Sequence, residues 1–392
     1  MKKIKFGWIM VMVILTGIFS ISAAGAEVGV TDNSIKIGTV VDTTGPLTFF
    51  GTSIKASIEA YFKEINAKGG VHGRKLELVQ ESDNYEPAKS VAALKKLIVK
   101  DGVFCFVSNM GTPGVKAQIP TLQDEGIPLV GPTAAGEFLN EPPKKYIFPV
   151  LMNYELAGIS MVRFIFENLK VSDPKIGFIG SDRLGPLVEV GVEKEVKKYR
   201  ASLKTKVSFP SKEVDFSSHV LKLKSADIDH VIIVGIYGES AKILSEMHKI
   251  GWKPTVIVNA SSADPKLLEL SGSAGEGAIV QMNFAMFTDD APGVKEYREL
   301  MARHAPEAKL SNFGMWGGYA AAKLLVEGLN RAGKDLTREK LVSALESISG
   351  FKTDILPPIN FGPNKRAGAP GAVYTKIEGG KFKKLTDWIM ID

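Results

Sequence analysis

The residues IKIGTVVDTTGPLTFFGT (35–52) decide how the rest of the chain is interpreted. Their first part is an apolar run, which predicts a buried strand over 35–41. A Gly-Pro turn follows, and apolar residues at helical spacing then predict a helix over 52–68, ended by Gly69 and Gly70. A strand, a turn and a helix in this order form the unit from which parallel α/β sheets are built.

This alternation of strands and helices occurs twice along the chain. Between residue 35 and about residue 130 four predicted strands alternate with helices, and the pattern restarts after about residue 150. The second set of strands is predicted at 175–180, 206–209, 230–235 and 255–258. Apolar strands linked by helices indicate parallel sheets covered on both faces. We therefore predict an α/β protein with two doubly wound, Rossmann-like lobes.

The first 26 residues differ from the rest of the 392-residue chain. Three lysines precede an apolar run over 6–21, and Ala24-Gly25-Ala26 offers small residues for cleavage. This order predicts a secretory signal peptide over 1–26. The alternative is an uncleaved membrane anchor, but the apolar run is short for a bilayer span of about 20 residues.

Charge and cysteine content restrict the partners and the compartment. Without the predicted leader the net charge falls from +6 to +3, which gives no reason to expect nucleic acid or an anionic membrane as a partner. Cys105 is the only cysteine, so no intramolecular disulfide can form and no cysteine at the cleavage site can carry a lipid. We expect a buried thiol and a protein that diffuses freely in a periplasm.

Several patterns that suggest enzymes or cofactors fail on inspection. Residues 328–334 spell G-x-x-x-x-G-K, but they end a predicted helix, and Asp335 replaces the Ser or Thr of a phosphate loop. The five histidines lack metal-ligand spacing, and no G-x-G-x-x-G or G-x-S-x-G motif occurs. We therefore predict no cofactor, no metal and no catalytic residue.

Candidate binding residues lie in the turns that follow the first lobe's strands, because ligands of open α/β sheets bind at that edge. Thr112, in the turn 108–114, combines a hydroxyl with the free N–H groups of a helix start, which suits a carboxylate. The alternative is a plain N-cap. Thr133 lies in a similar turn, 131–135. Phe50 stands at a helix start, either as an apolar ligand wall or packed on its own core.

The sequence resembles the type I periplasmic binding proteins, specifically the leucine/isoleucine/valine-binding family of ATP-driven importers. The resemblance covers essentially the whole chain after the leader. It is carried by IKIGTVVDTTGPLTFFGT (35–52), EINAKGGVHGRKLEL (64–78), SDNYEPAKSVAALKKLI (82–98) and LQDEGIPLVGPTAA (122–135).

The resemblance implies two lobes joined by three crossing segments, which we place near residues 149, 283 and 356. It also accounts for the predicted helices at 292–304, 313–332 and 337–347, because the chain then returns to the first lobe. The expected lobes are 27–148 with 284–355, and 149–283 with 356–392. The resemblance further implies a monomer that closes on a ligand and docks on an ABC permease in the inner membrane.

The family's ligand contacts are carried over residue by residue. Its aromatic contact maps onto Phe50, and its carboxylate contacts map onto Thr112, Thr133 and Ala135 with their backbone N–H groups. A second-lobe aromatic maps onto Tyr237.

Two positions depart from the family pattern. Leu184 stands where a tyrosine is usual, and Ser261 stands at or beside the place of a glutamate that amino-acid binders use. A buried ammonium needs such a partner. The departures therefore favour an aromatic or branched aliphatic acid over a branched-chain amino acid, unless Asp182, Glu239 or Asp264 replaces the missing acid.

The predicted function is that of a periplasmic solute-binding protein which presents a small carboxylate ligand to an importer. Two alternatives remain open: a ligand-sensing receptor module of the same fold, and an exported hydrolase.

Overall fold

The structure is a computed structural model that describes residues 27–211 and 213–391. The predicted signal peptide, 1–26, lies outside the described residues. The described chain forms two sheets with helices packed on both, which confirms the predicted α/β class with two lobes. The lobe boundaries predicted from the sequence stay a prediction.

The first sheet contains five parallel strands in the order β2-β1-β3-β4-β5. Its strands are β1 (Ser34–Val40), β2 (Lys75–Glu81), β3 (Cys105–Val107), β4 (Leu129–Val130) and β5 (Ile147–Phe148). They are linked by α1 (Thr48–Ala67), α2 (Pro87–Val99) and α3 (Thr112–Asp124). Strand residues such as Ile37 and Phe106 are fully buried, as expected for a sheet covered on both faces. Cys105 is also fully buried, and burial raises the pKa of its thiol to about 12.

The second sheet has the order β12-β11-β10-β9-β8-β6-β7. Its strands are β6 (Ile176–Ser181), β7 (Leu203–Phe209), β8 (His230–Val234), β9 (Thr255–Val258), β10 (Ile279–Met282), β11 (Gly371–Glu378) and β12 (Lys381–Lys384). The strands from β6 to β10 are parallel, whereas β11 and β12 join antiparallel at the edge beside β10, and a short β13 (Ile389–Met390) pairs with β11. The parallel pattern predicted from sequence therefore ends at β10.

The remaining helices divide between the sheets. The second lobe carries α4 (Tyr154–Arg163), which continues as a π-helical turn to Asn168, then α5 (Gly185–Lys198), α6 (Ser217–Ser225), α7 (Tyr237–Lys249) and α8 (Pro265–Ser271). The chain then forms α9 (Pro292–His304), a π-helical segment (Phe313–Ala320) that runs into α10 (Ala321–Ala332), and α11 (Arg338–Glu346). The π-helical segment packs on α1, so the chain returns to the first sheet.

Helix α1 begins four residues earlier than the predicted 52–68 because of a buried carboxylate. Asp42 accepts hydrogen bonds from the N–H groups of Gly45 (2.5 Å) and Leu47 (2.8 Å), which fold the turn back on itself. The helix can then start at Thr48. Phe50 consequently lies in the first helical turn and not in the loop before it.

Arg366 joins the chain that leads into β5 to the chain that leads into β11. Its side chain is 1% exposed and donates to the carbonyl oxygens of Lys144 (2.9 Å), Lys145 (3.0 Å) and Gly362. It also pairs with Glu346 at 2.6 Å. These bonds fix two of the segments near the predicted crossings to each other.

We expect Arg366→Met to lower the free energy of unfolding by about 3 kcal/mol or more, because it leaves buried carbonyls and a carboxylate without their donor. Urea denaturation followed by circular dichroism measures the change. Lys365→Met, at the exposed neighbouring position, is the matched control. Equal midpoints for the two variants would contradict the assigned role of Arg366.

Candidate functional site

Hydrogen bonds through Asn109 hold together the turns at the carboxyl edge of the first sheet. Its side-chain oxygen accepts from the N–H of Val40 at the end of β1 (3.0 Å), and its amide nitrogen donates to Gln118 of α3 (2.8 Å). Its backbone carbonyl accepts from the N–H of Thr133 (2.9 Å). Three turns that are distant in sequence are therefore held at fixed positions.

Thr112 is the first residue of α3, and it is not the N-cap that the sequence left as an alternative. The cap position is Gly111, whose φ of +96° favours glycine, and no side chain caps this helix. The hydroxyl oxygen of Thr112 lies 3.5 Å from the N–H of Ala135, and the carbonyl of Ala135 accepts from the N–H of Tyr154 (3.0 Å). Thr112 and Ala135 are therefore adjacent, and the backbone of Tyr154 is bonded to Ala135.

Thr133 is buried and lies deeper than the half-buried Thr112. It is 6% exposed, and its hydroxyl is paired with that of Ser108 at 2.9 Å. A Cβ atom at Gly317 would lie 2.8 Å from the Thr133 hydroxyl oxygen, so only glycine allows the π-helical segment to approach this closely. The side chain of Thr133 is part of the support of the turn, and its neighbour Ala135 is nearer the surface.

Phe50 is half-buried and packs on Phe313, with ring centroids 4.2 Å apart. Phe313 in turn lies 5.4 Å from Trp316 on the same segment. The adjacent Phe49 is 47% exposed. The sequence left two roles open for Phe50, an apolar wall for a ligand and a side chain packed on the core. Both remain open, because Phe50 packs on Phe313 and is only half-buried.

The three predicted residues of the second lobe lie at the carboxyl edge of its sheet. Leu184 precedes α5, Tyr237 is the first residue of α7, and Ser261 lies in a 3₁₀ turn after β9. All three are half-buried. Within residues 27–211 and 213–391, no hydrogen bond joins them to Thr112 or Ala135. The predicted groups of the two lobes are therefore not joined by a hydrogen bond in the described part of the chain.

The edges of the two lobes nevertheless face each other. Asn312 donates to the carbonyl of Ala263, two residues beyond Ser261, at 3.1 Å. Burial raises the pKa of Tyr85, in the turn after β2, and the nearby charge of Arg183 from the second lobe opposes this shift. The space between the turns of the two sheets is therefore a cleft bordered by both lobes.

Each of the three carboxylates that could take the place of the family's glutamate accepts a hydrogen bond from a backbone N–H group of its own lobe. Asp182 accepts from the Ser211 hydroxyl (2.5 Å) and N–H (3.0 Å), and these bonds lower the pKa of Asp182. Glu239 accepts from the N–H of Ile236 (3.0 Å), and Asp264 accepts from that of Lys266 (2.8 Å). Burial raises the pKa of both Glu239 and Asp264.

Sequence analysis missed four residues at the cleft: Tyr85, Tyr154, Asn312 and Phe313. Tyr85 follows β2, so its place at the carboxyl edge of a strand was a usable signal. The ring of Tyr85 borders Gly111, where a Cβ atom would lie 2.8 Å away. Burial raises the pKa of Tyr154, and its contact with the Thr112 hydroxyl partly offsets the rise. Asn312 and Phe313 come from distant sequence, and no local pattern marked them.

No group of three or more His, Cys, Asp or Glu side chains in the described part of the chain could hold a metal ion. Among the described helices, none combines the length and the apolar character needed to cross a membrane.

Comparisons with known proteins agree with this architecture. A family model described as periplasmic binding protein matches residues 34–381. The chain is 27% identical over 301 residues to the Leu/Ile/Val-binding protein of Escherichia coli (strain K12), covering 76% of this chain and 80% of the relative.

Solved structures with the same fold are similar over almost the whole chain. A branched chain amino acid ABC transporter protein from Thermus thermophilus with bound valine has a TM-score of 0.81 at 22% identity, covering 92% of this chain and 98% of that one. A fatty acid ABC transporter substrate-binding protein from Thermomonospora curvata has a TM-score of 0.78 at 23% identity, covering 94% and 95%.

We expect Asn109→Leu to destabilise the protein by about 2–4 kcal/mol, because the buried N–H of Val40 and the side chain of Gln118 lose their partners. Urea denaturation measures the change. Asn330→Leu, at an exposed position on α10, is the control for the change of residue type. The proposed role of Asn109 fails if both variants unfold at the same urea concentration.

Proposed function

This chain belongs to the periplasmic binding protein family, and from that premise we propose that it binds a small carboxylic acid without an α-ammonium group between its two lobes. An aromatic or branched aliphatic acid fits the half-buried Phe50, Leu184 and Tyr237. Relatives with this fold are named for amino acids and for a fatty acid. The fold alone therefore does not determine which ligand binds, and the specificity must come from the side chains at the cleft.

The observation that carries this proposal is that the acidic side chains near the cleft are hydrogen-bonded to turns or helix starts of their own lobe. A ligand ammonium taken out of water needs a carboxylate or several hydrogen-bond acceptors, since an unpaired buried charge costs several kcal/mol. Asp182, Glu239 and Asp264 each hold a turn or a helix start in their own lobe. Each of these bonds uses one carboxylate oxygen and fixes the direction of the side chain, so turning one of them towards a ligand ammonium would break its bond to the backbone.

In the first lobe, Asp42 and Asp83 are committed in the same way. Asp42 accepts from the turn before α1, and Asp83 accepts from the N–H of Tyr85 at 2.9 Å. Both are 1% exposed. They stabilise the turns around the cleft and are poorly placed to serve a ligand.

The start of α3 is the best-suited place to bind the anionic end of the ligand. The first N–H groups of this 13-residue helix have no intrahelical acceptor, no side chain caps them, and the helix dipole favours negative charge there. The hydroxyl of Thr112 and the N–H of Ala135 lie beside them. In the proposed complex this group receives the carboxylate, and Thr133 supports it from below.

The proposed mechanism is closure of the two lobes, without catalysis. A ligand on the first lobe shifts the balance towards a closed form only through additional contacts with the second lobe. Leu184, Tyr237 and Ser261 are the residues proposed to supply those contacts. A hydrolase would need a nucleophile beside a base, and the hydroxyls of Thr112 and Thr133 have backbone and hydroxyl neighbours instead.

The location and the partners follow from the same proposal. Residues 1–26 would direct export and be removed, and the protein would act as a monomer in the periplasm. Its closed form would dock on an ABC permease of the inner membrane. A sensing role on a receptor remains the alternative, and co-purification of a permease with the ligand-bound protein distinguishes the two.

We expect calorimetry to show binding of benzoate or of the keto acid of leucine, and weaker or no binding of leucine, because the acidic side chains at the cleft would have to leave their own turns to pair with an ammonium. Benzamide is the neutral control, and it should lose most of the affinity because hydrogen bonds to a charged group are worth about 1.5–3 kcal/mol each. Tight binding of leucine with no response to either acid would overturn the proposal.

We expect Phe50→Ala to weaken binding of the acid by about tenfold or more, because the ligand loses an apolar wall worth about 1.5–3 kcal/mol. Phe49→Ala is the matched control, since Phe49 is adjacent and already 47% exposed. Ligand affinity and the melting curve of the ligand-free protein are measured together. An unchanged affinity, or loss of the folded ligand-free protein, would show that Phe50 serves the core and not the site.

A further inference from the structure

A second pocket lies at the segments that cross between the lobes, away from the proposed carboxylate site. It has a volume of about 660 Å³, within the range typical of small-molecule sites. We call it the interlobe pocket, and it is lined by residues of 282–292, 352–358 and 373–388. None of the residues predicted from sequence to bind a ligand lines it.

Apolar and aromatic side chains form most of its surface. Met282, Phe284 and Met286 are 5% exposed or less and close its inner end, whereas Phe382 and Trp388 are half-buried and lie nearer its mouth. Three aromatic rings therefore line one pocket. Rings of this kind attract cations through their negative faces, most strongly where water is excluded.

Some charged groups of the interlobe pocket have an ion-pair partner among the described residues and others do not. Lys384 is paired with Asp387 at 2.6 Å, and Asp290 lies 3.5 Å from Arg298. Lys352 and Asp354 also line the pocket, and both are exposed. Asp289 accepts the N–H of Met286 with one carboxylate oxygen (2.8 Å), which fixes its direction and leaves the other oxygen available. Burial raises the pKa of Asp289, so an added cation beside it would stabilise its charged form.

We propose that the interlobe pocket binds an organic ammonium ion, held between the rings of Phe284, Phe382 and Trp388 and the carboxylate of Asp289. The aromatic rings select a cation with an apolar surface, and the three lining carboxylates outnumber the two lining lysines. This ligand differs in charge from the one proposed for the cleft, so the two sites do not compete for one compound.

A bound ammonium ion would contact both lobes. Asp289 precedes α9, which packs on α1 of the first lobe, whereas Phe382 lies on β12 of the second sheet. Phe284 also stacks on Trp316, with centroids 5.8 Å apart, and Trp316 leads through Phe313 to Phe50. The occupied pocket therefore favours the lobe angle at which both of its walls reach the ion.

The test is fluorine NMR of the protein labelled with 5-fluorotryptophan, titrated with choline in the absence of any carboxylic acid. Trp388 reports on the pocket, and Trp252, which does not line it, is the internal reference. The neutral isostere 3,3-dimethylbutan-1-ol has the same shape without the charge. We expect choline to shift the Trp388 signal to saturation, and the isostere to do so at least several-fold more weakly.

Two variants assign the recognition to named groups. Asp289→Asn keeps an acceptor for the N–H of Met286 but removes the charge, and we expect it to weaken choline binding by about tenfold, or 1.4 kcal/mol. Phe382→Leu removes one ring, and we expect a loss of about threefold or more. Asp124→Asn, an exposed side chain at the end of α3, changes the net charge equally and should have no effect.

Each measurement has a result that would contradict one part of the proposal. A Trp388 signal that does not saturate with choline overturns the site, and equal binding of the isostere overturns recognition of the charge. An Asp289→Asn variant that binds like the Asp124→Asn control removes Asp289 from the proposal. These measurements do not involve the cleft ligand, so their failure leaves the proposed acid-binding function untouched.

Discussion

The close approach of α1 and the segment Phe313–Ala320 is the contact on which the arrangement of the protein depends. A Cβ atom at Gly318 would lie 2.6 Å from the carbonyl oxygen of Ile54, so glycine is required for this distance. The contact returns the chain after β10 to the first sheet, before β11 rejoins the second. It also places Phe313 against Phe50 and Asn312 against Ala263 of the second lobe. One packing face thus determines both a wall of the cleft and one of the hydrogen bonds between the lobes.

Local sequence patterns predicted the repeating units well, because each strand and helix buries its own apolar residues. The strand at 230–235 and the helix at 292–304 are examples, and β8 (His230–Val234) and α9 (Pro292–His304) confirm them. What the patterns could not supply was contact between distant segments. Nothing near Phe50 in sequence indicated that Phe313 would cover one of its faces, and helix α8 was missed because its seven residues are too few to show a period.

At the candidate site, too, local patterns predicted some features, whereas contacts between distant segments determined the others. Placing the ligand at the carboxyl edge required only strand order, and the turns of Thr112 and Thr133 do meet there through Asn109. The depth of each side chain depended on its partners. Thr133 is nearly covered because Ser108 bonds its hydroxyl and Gly317 lies against it, whereas Thr112 remains half-buried. The two threonines look alike in sequence, and only their tertiary neighbours separate them.

Both edges of the cleft are held by a buried asparagine. On the first lobe, Asn109 accepts from the N–H of Val40 at 3.0 Å, and on the second lobe Asn259 accepts from the N–H of Gly235 at 3.2 Å. Each bond joins the end of one strand to the turn after its neighbour, so the turns are ordered before a ligand arrives. A ligand then loses little freedom to the ordering of loops, and closure costs mainly the change of lobe angle. Selection among acids would fall to the half-buried side chains that the two edges present, which are Phe50 on the first lobe and Leu184, Tyr237 and Ser261 on the second.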